Sequence, residues 1–251
     1  MNDKASVKLA SINIEGHKHF HERILPFLQQ FKPDVVCLQE VFSVDVPFLK
    51  EILGMDGLFM PTSIVTEVSV HQPIAMGEWG VLLLSSLPIS QIQGEYYVGT
   101  AERIPPFMEH GNPNGMNRVF IWATVMVGQT PFTIGTTHFT WSVKGEPTEE
   151  QDRDLHQLFS ILDSIPDVVF CGDFNAPRGK ATFAKIAERY TDHIPPSVTT
   201  SIDPELHKAG ALELMVDALF STPEYTVTDV KVSAGVSDHQ AITATVSRDC
   251  A

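Results

Sequence analysis

Six apolar runs in this chain end at, or begin after, residues able to bind, orient or exchange a proton. Residues 6–14 close on Asn13-Ile14-Glu15, and residues 35–38 lead into Gln39-Glu40. Residues 131–138 finish with Thr137-His138, and residues 168–171 run into Gly172-Asp173-Phe174-Asn175. Asp217 sits in Val216-Asp217-Ala218-Leu219-Phe220, and Ser237-Asp238-His239 precedes the last apolar run. Strand ends in α/β sheets are where sites are built. Singly, each residue reads as a turn former, a helix cap or a satisfied histidine. Together they supply carboxylates, amides and imidazoles, the groups of general acid–base work. Paired carboxylates alone would suit glycoside hydrolysis. Two histidines and two asparagines beside them suit phosphate better, and no covalent nucleophile accompanies the set.

The elements that must position these groups can be read from periodicity. A first strand is expected over 6–14. Phe20, Ile24, Phe27, Leu28 and Phe31 fall at helical spacing over 19–31, with Pro33 as the stop. A buried strand at 35–38 precedes a helix at 45–53 with Pro47 in its first turn. Strands are expected at 79–85, 88–98, 118–127 and 131–138. A helix over 148–164 starts at Thr148, with Gln151 as the partner in a capping box. A strand at 168–171, a helix at 180–189 and strands near 214–221, 224–234 and 240–247 complete the series. This mixture predicts a layered α/β fold with mixed sheets. With no repeat or linker, one domain is expected over 1–251. The stretch 99–117 lacks periodicity and is predicted to be a long loop. Its Ile104, Pro105, Phe107 and Met108 are candidates to cover a site and set specificity.

The 251 residues are 43% hydrophobic, enough for a substantial core. Lys and Arg total 17 against 31 Asp and Glu, a net charge of −14. Such a chain repels polyanions at long range, and no basic cluster marks a nucleic-acid face. No apolar run approaches the ~20 residues of a membrane helix. Asp3, Lys4 and Lys8 interrupt any signal-peptide core. Cys37 and Cys171 lie in apolar runs and read as buried thiols, and Cys250 adds no disulfide framework. A cytoplasmic setting is expected.

Taken in order, the motifs resemble the endonuclease/exonuclease/phosphatase superfamily of DNase-I-like, metal-dependent phosphoester hydrolases. The matching pieces are Ser11-Ile12-Asn13-Ile14, Leu38-Gln39-Glu40, Gly80-Val81-Leu82-Leu83-Leu84-Ser85, Arg118, Thr137-His138-Phe139, Gly172-Asp173-Phe174-Asn175, Val216-Asp217-Ala218-Leu219-Phe220 and Ser237-Asp238-His239. The resemblance implies a four-layer α/β/β/α sandwich, two mixed β-sheets face to face with helices outside. It implies Mg²⁺ or Mn²⁺ on oxygen ligands. Glu40 would be a direct ligand with Asn13 beside it, and Asp238, with Asp173, would complete the set. Asp173 would also orient and deprotonate the attacking water, helped by Asn175. His239 would bind a phosphoryl oxygen, its tautomer fixed by Asp217. His138 would serve the leaving group, Glu78 would orient His138, and Arg118 would clamp phosphate. Trp141, three residues beyond His138, is a candidate to stack on substrate.

The implied activity is divalent-metal-dependent hydrolysis of a phosphodiester by direct attack of activated water. A DNA or RNA endo- or exonuclease, a phosphomonoesterase and an inactive phospho-ligand binding module stand as alternatives. The substrate is a phosphoester, small molecule or nucleic acid; no membrane span and no protein partner can be read. His138 stands where abasic-site endonucleases usually carry asparagine. That leans toward the branch with DNase-I-like nucleases, sphingomyelinase-like and tyrosyl-DNA phosphodiesterase-like enzymes. The tract His17, His19, His21 suggests a metal site, but on a helix only His17 and His21 share a face.

Overall fold

Side-chain alternation along the strands separates three apolar layers. In chain order the strands are β1 (Lys4–Asn13), β2 (Val35–Phe42), β3 (Asp56–Val65), β4 (Gly77–Ser85), β5 (Ile89–Val98), β6 (Arg118–Val127), β7 (Thr130–His138), β8 (Val169–Asp173), β9 (Thr191–Asp192), β10 (Asp217–Ser221), β11 (Thr226–Ser233) and β12 (Ala241–Asp249). The helices are α1 (Leu25–Phe31), α2 (Val46–Leu53), α3 (Glu149–Leu162) and α4 (Ala181–Ala187). They come from a computed structural model that describes residues 4–66, 77–107 and 112–249. Val7 and Leu9 of β1, with Val35 and Cys37 of β2, face a central core. That core is completed by Ile134, Val169, Cys171 and Leu219 from the other sheet. Ala10, Ile12, Val36 and Leu38 point the opposite way, onto Leu25, Leu28 and Leu49 of α1 and α2. Phe120, Phe170 and Phe220 likewise cover Leu155, Leu158 and Phe183 of α3 and α4. The result is the expected α/β/β/α sandwich.

Each sheet has six strands, in the orders β11-β12-β1-β2-β4-β3 and β5-β6-β7-β8-β10-β9. Near the middle of each lies a parallel pair, β1 with β2 and β7 with β8. Parallel neighbours need a crossover; the segment holding α1 supplies one and α3 the other. Both pairs therefore end at the same edge of their sheets. Those ends carry Asn13, Glu40, His138 and Asp173. Asp217 opens β10 directly opposite Asp173 in antiparallel register.

Three local expectations need correction. The helix expected over 19–31 is a π-helical turn at Phe20–Ile24 followed by α1. Pro26 in the first turn of α1 has no N–H to give the preceding turn, so the ladder widens there. The strand β3 was not among those expected, and it contains Gly57 and Pro61. It is an edge strand, where a missing N–H is tolerated, and its register shifts between Pro61 and Ser63. Thr148 does cap α3, accepting from the Gln151 N–H at 3.1 Å. The Gln151 side chain, however, turns inward rather than closing a capping box. Its Nε2 donates to the carbonyls of Thr140 and Asn175 at 2.9 and 3.2 Å, and its Oε1 accepts from Thr182 at 3.0 Å. Of the loop residues named above, Met108 lies outside the described residues, as does Cys250.

Gly172 is the residue that brings β7 and β8 together at the site. At φ +139 it adopts a conformation foreign to side-chain-bearing residues, and a Cβ there would lie 2.0 Å from the Thr137 carbonyl oxygen. Gly172→Ala should cost about 2–4 kcal/mol, measured as a lower urea-unfolding midpoint. An unchanged midpoint would mean that the strands separate freely at this point.

Candidate active site

At the shared edge the side chains converge on Asp173, which is buried. Its Oδ1 accepts the Asn175 backbone N–H at 2.9 Å, and its Oδ2 accepts Asn13 Nδ2 at 3.1 Å. The same Oδ2 lies 3.5 Å from His138 Nε2 and 3.8 Å from His239 Nε2. Asn13 Nδ2 also donates to Glu40 Oε1 at 3.0 Å. Glu40 sits on a bulge in β2, between Gln39 and Val41, with φ +63. A bulge re-aims a side chain, and here it turns Glu40 toward the cleft. His239 Nδ1 is 2.7 Å from Asp217 Oδ2. The loops are tied together: Phe139 N–H donates to the Asp173 carbonyl at 2.8 Å and Asn175 Nδ2 to the Phe139 carbonyl at 3.1 Å.

Above this floor opens a cleft of about 550 Å³. Glu40, His138, Asp173, Asn175, Asp238 and His239 line its polar part. Among the described residues, four of the six non-glycine residues with left-handed backbone, Glu15, Glu40, Lys144 and Asn175, line it as well. Backbone strain of this kind persists where the surroundings impose it.

The two imidazoles are driven apart electrostatically. Burial brings His138 down to about 4; Asp173 opposes this, while Arg118 and His239 add to it. For His239 burial also opposes the charge, but Asp217, Asp173 and Asp238 outweigh it and hold the imidazolium well above its ordinary range. The environment thus favours the neutral form of His138 and the charged form of His239. Titratable groups pushed apart in this way mark acid and base assignments. Burial, reinforced by the charge of Asp238, raises Glu40 to about 8.

Residues 10–239 match the Endonuclease/Exonuclease/phosphatase family. The chain belongs to that family. Membership places it among enzymes that hydrolyse phosphoesters. A family member from Bacteroides vulgatus superposes with a TM-score of 0.71 at 19% identity, over 98% of this chain and 100% of that one. A mannosyl-6-phosphatase from Bacteroides thetaiotaomicron does so with 0.67 at 15% identity, over 96% and 99%. TDP2 of D. rerio, complexed with a single-strand DNA product, gives 0.67 at 16%, again over 96% and 99%. At these identities the likeness is one of fold. No curated protein matches the sequence.

Family members work with a divalent cation, and the donors here suit one. Glu40, Asp173 and Asp238 all line the polar part of the cleft, and such oxygen donors suit a hard ion. In this space Glu40 keeps its proton into the neutral range, the mark of a carboxylate short of positive charge. Asp173, Asp217 and His239 also bring ligand atoms within 4.8 Å of one another. In that group His239 Nδ1 is already paired with Asp217 Oδ2 at 2.7 Å, which leaves its Nε2 and Asp173 facing the cleft. Asn13 gives its amide N–H groups to Glu40 and Asp173 and accepts the Glu15 N–H on its Oδ1 at 3.2 Å. As oriented it braces the carboxylates rather than offering an oxygen to an ion.

Several expected positions differ. Glu78 is exposed and outside the cleft; alternation along β4 turns Trp79 inward instead, so Glu78 does not orient His138. Arg118 lines the cleft but is buried, donating Nη1 to the His138 carbonyl at 3.2 Å and Nη2 to Asn114 Oδ1 at 3.1 Å. It holds the His138 backbone as much as it faces substrate. Trp141 lines the cleft, 40% exposed. None of His17, His19 and His21 does. His17 pairs with Asp45 at 2.7 Å, and His19 lies 3.6 Å from Glu15. Sequence reasoning missed Trp79, His207 and Lys208 as lining residues; no local pattern marks them.

A bound cation should relieve Glu40. In the metal-free fold Glu40 titrates near 8 against an ordinary 4.5, so this group costs stability progressively as pH rises from the lower value to the higher. Mg²⁺ or Mn²⁺ should therefore raise the melting temperature more at pH 8.5 than at pH 6. Equal shifts at both pH values, or none, would remove Glu40 from the cation site.

Proposed function

We propose that the protein is a divalent-metal-dependent phosphodiesterase acting on a small phosphodiester by direct attack of water. The observation that carries this reading is Asp173 Oδ2, which faces Asn13, His138 and His239 at 3.1, 3.5 and 3.8 Å. A carboxylate so placed accepts a proton from a water lying between the two imidazoles. The Asn175 N–H on its other oxygen fixes the plane of the carboxylate. His239, kept charged by Asp217, donates to a non-bridging phosphoryl oxygen. His138, kept neutral, offers an N–H to the departing ester oxygen. A cation held by Glu40 and Asp238 would supply charge neutralisation at phosphorus. Arg118 and Gln151 hold the backbone of the loops that carry His138 and Asn175.

The solved relatives include a phosphatase and a protein bound to a DNA product, so fold does not choose the substrate. Charge favours a small one. The chain carries −14 overall, and the basic lining residues are Arg118, Lys144 and Lys208, apart from histidines. Tracking a nucleic-acid backbone takes a longer basic stripe.

Hydrolysis of bis(p-nitrophenyl) phosphate and p-nitrophenyl phosphate should be compared with Mg²⁺, Mn²⁺ and chelator. Diester cleavage that chelator abolishes, with Asp173→Ala at least ~10³-fold slower, is the expected result. Monoester cleavage alone would transfer the reading to a phosphatase, and wild-type rates in Asp173→Ala would overturn the mechanism. Asp217→Asn should move the alkaline limb of the kcat/KM profile to lower pH, because His239 loses its main counter-charge. An unmoved limb would take the imidazolium out of the mechanism.

A further inference from the structure

We infer that the diester's organic group is a flat aromatic ring, gripped between two apolar walls above the polar floor; the inference rests on the phosphodiesterase reading. One wall consists of Trp79, Phe107 and Met116. Trp79 stacks on Phe42 with centroids 6.3 Å apart and meets Phe107 edge-on at 5.0 Å. The wall is fixed by its backbone, since Ile64 donates to the Pro105 carbonyl at 2.9 Å and Phe107 donates to the Ile64 carbonyl at 2.7 Å. A second group of lining side chains, from another part of the chain, is aliphatic: Ile202, Leu212 and Leu214. It is fixed as well. Ile202 forms a bridge to His239, and Thr200 Oγ1 donates to the Leu212 carbonyl at 2.6 Å. Preformed walls waste little ordering entropy on binding.

Trp141 supplies the second argument. Its side chain stays 40% exposed in the cleft lining. Its backbone is nevertheless held on both sides by Asn114, which accepts from the Trp141 N–H and donates to its carbonyl, each at 2.9 Å. A large aromatic surface on an anchored backbone and left open is a platform for another ring. Rigid, flat walls favour a ring over a flexible chain, which would lose more rotamer freedom between them. A simple aryl group and a nucleobase share this flat chemistry.

The test is competitive binding of dimethyl, dibutyl and dibenzyl phosphate and of thymidylyl-thymidine, with Mg²⁺ present. Quenching of intrinsic tryptophan fluorescence gives a readout independent of turnover, and inhibition of diester cleavage gives a second. At least tenfold tighter binding of dibenzyl phosphate or the dinucleotide than of dimethyl phosphate is expected, with dibutyl phosphate between. Whichever of the two binds tighter tells an aryl group from a nucleobase. Phe107→Ala and Leu214→Ala should each shrink that preference severalfold. Equal binding of dimethyl and both ring ligands, or a preference for dibutyl phosphate, would overturn the inference, and the wild-type comparison suffices if a variant fails to fold. Ring preference without any diester cleavage would leave this subsite standing while sinking the proposed activity.

Discussion

One amide group, the Asn13 side chain, joins the two halves of the site. Its Nδ2 donates to Glu40 in its own sheet and to Asp173 across the sandwich. Two carboxylates from different sheets would otherwise repel each other in a buried space. The amide gives each a proton to face while adding no net charge. It thereby sets where Asp173 Oδ2 lies relative to His138 and His239. Nearby, Gln39 Nε2 donates to Thr136 Oγ1 at 2.9 Å, a second polar bond between the sheets just behind the first. The apolar core positions the sheets, but these bonds fix how their ends meet.

Around that bond the fold accepts local costs. Glu40 has a left-handed backbone on a bulge, Asn175 has one in the loop after β8, and Glu15 has one just after β1. Such conformations cost of order 1–3 kcal/mol each. Buried hydrogen bonds around them repay part of it: Gln151 satisfies the Asn175 carbonyl, and Asn13 Oδ1 satisfies the Glu15 N–H. Along β1, β2 and β8 this strain sits at the edge where the strands end. Farther along the same strands, Val36, Leu38, Phe170 and Cys171 sit in ordinary buried positions.

The fold was largely legible because its signals are local. Alternating apolar residues marked most strands, and polar residues at their ends marked the site. Asn13, His138, Asn175, Asp217 and His239 meet around Asp173, although chain separations reach 160 residues for the Asn13 bond. What stayed hidden depended on context. Pro61 argues against a strand unless the strand is known to be an edge. Gln151 three residues after Thr148 fits a capping box equally well whether its side chain folds back or turns inward. The sequence of Arg118 cannot reveal that its guanidinium is occupied by a backbone carbonyl and Asn114. Trp79 and His207 enter the cleft through packing of distant segments, which no spacing rule encodes.

An acidic enzyme that binds an anion needs its field to change sign locally. Here the change has two sources. His239 is held charged by three aspartates, so the acidity that repels phosphate at a distance creates a cation at close range. The same crowding raises Glu40 and prepares a place where a divalent ion costs little and gains much. Apolar walls then act on both. By excluding water they strengthen each charge–phosphate interaction at the floor, and they take up the part of the substrate that carries no charge. On the proposed reading, long-range repulsion, short-range attraction and an apolar lining together favour a small diester with an organic group. A uniformly basic cleft would instead draw in polyanions and discriminate poorly among them.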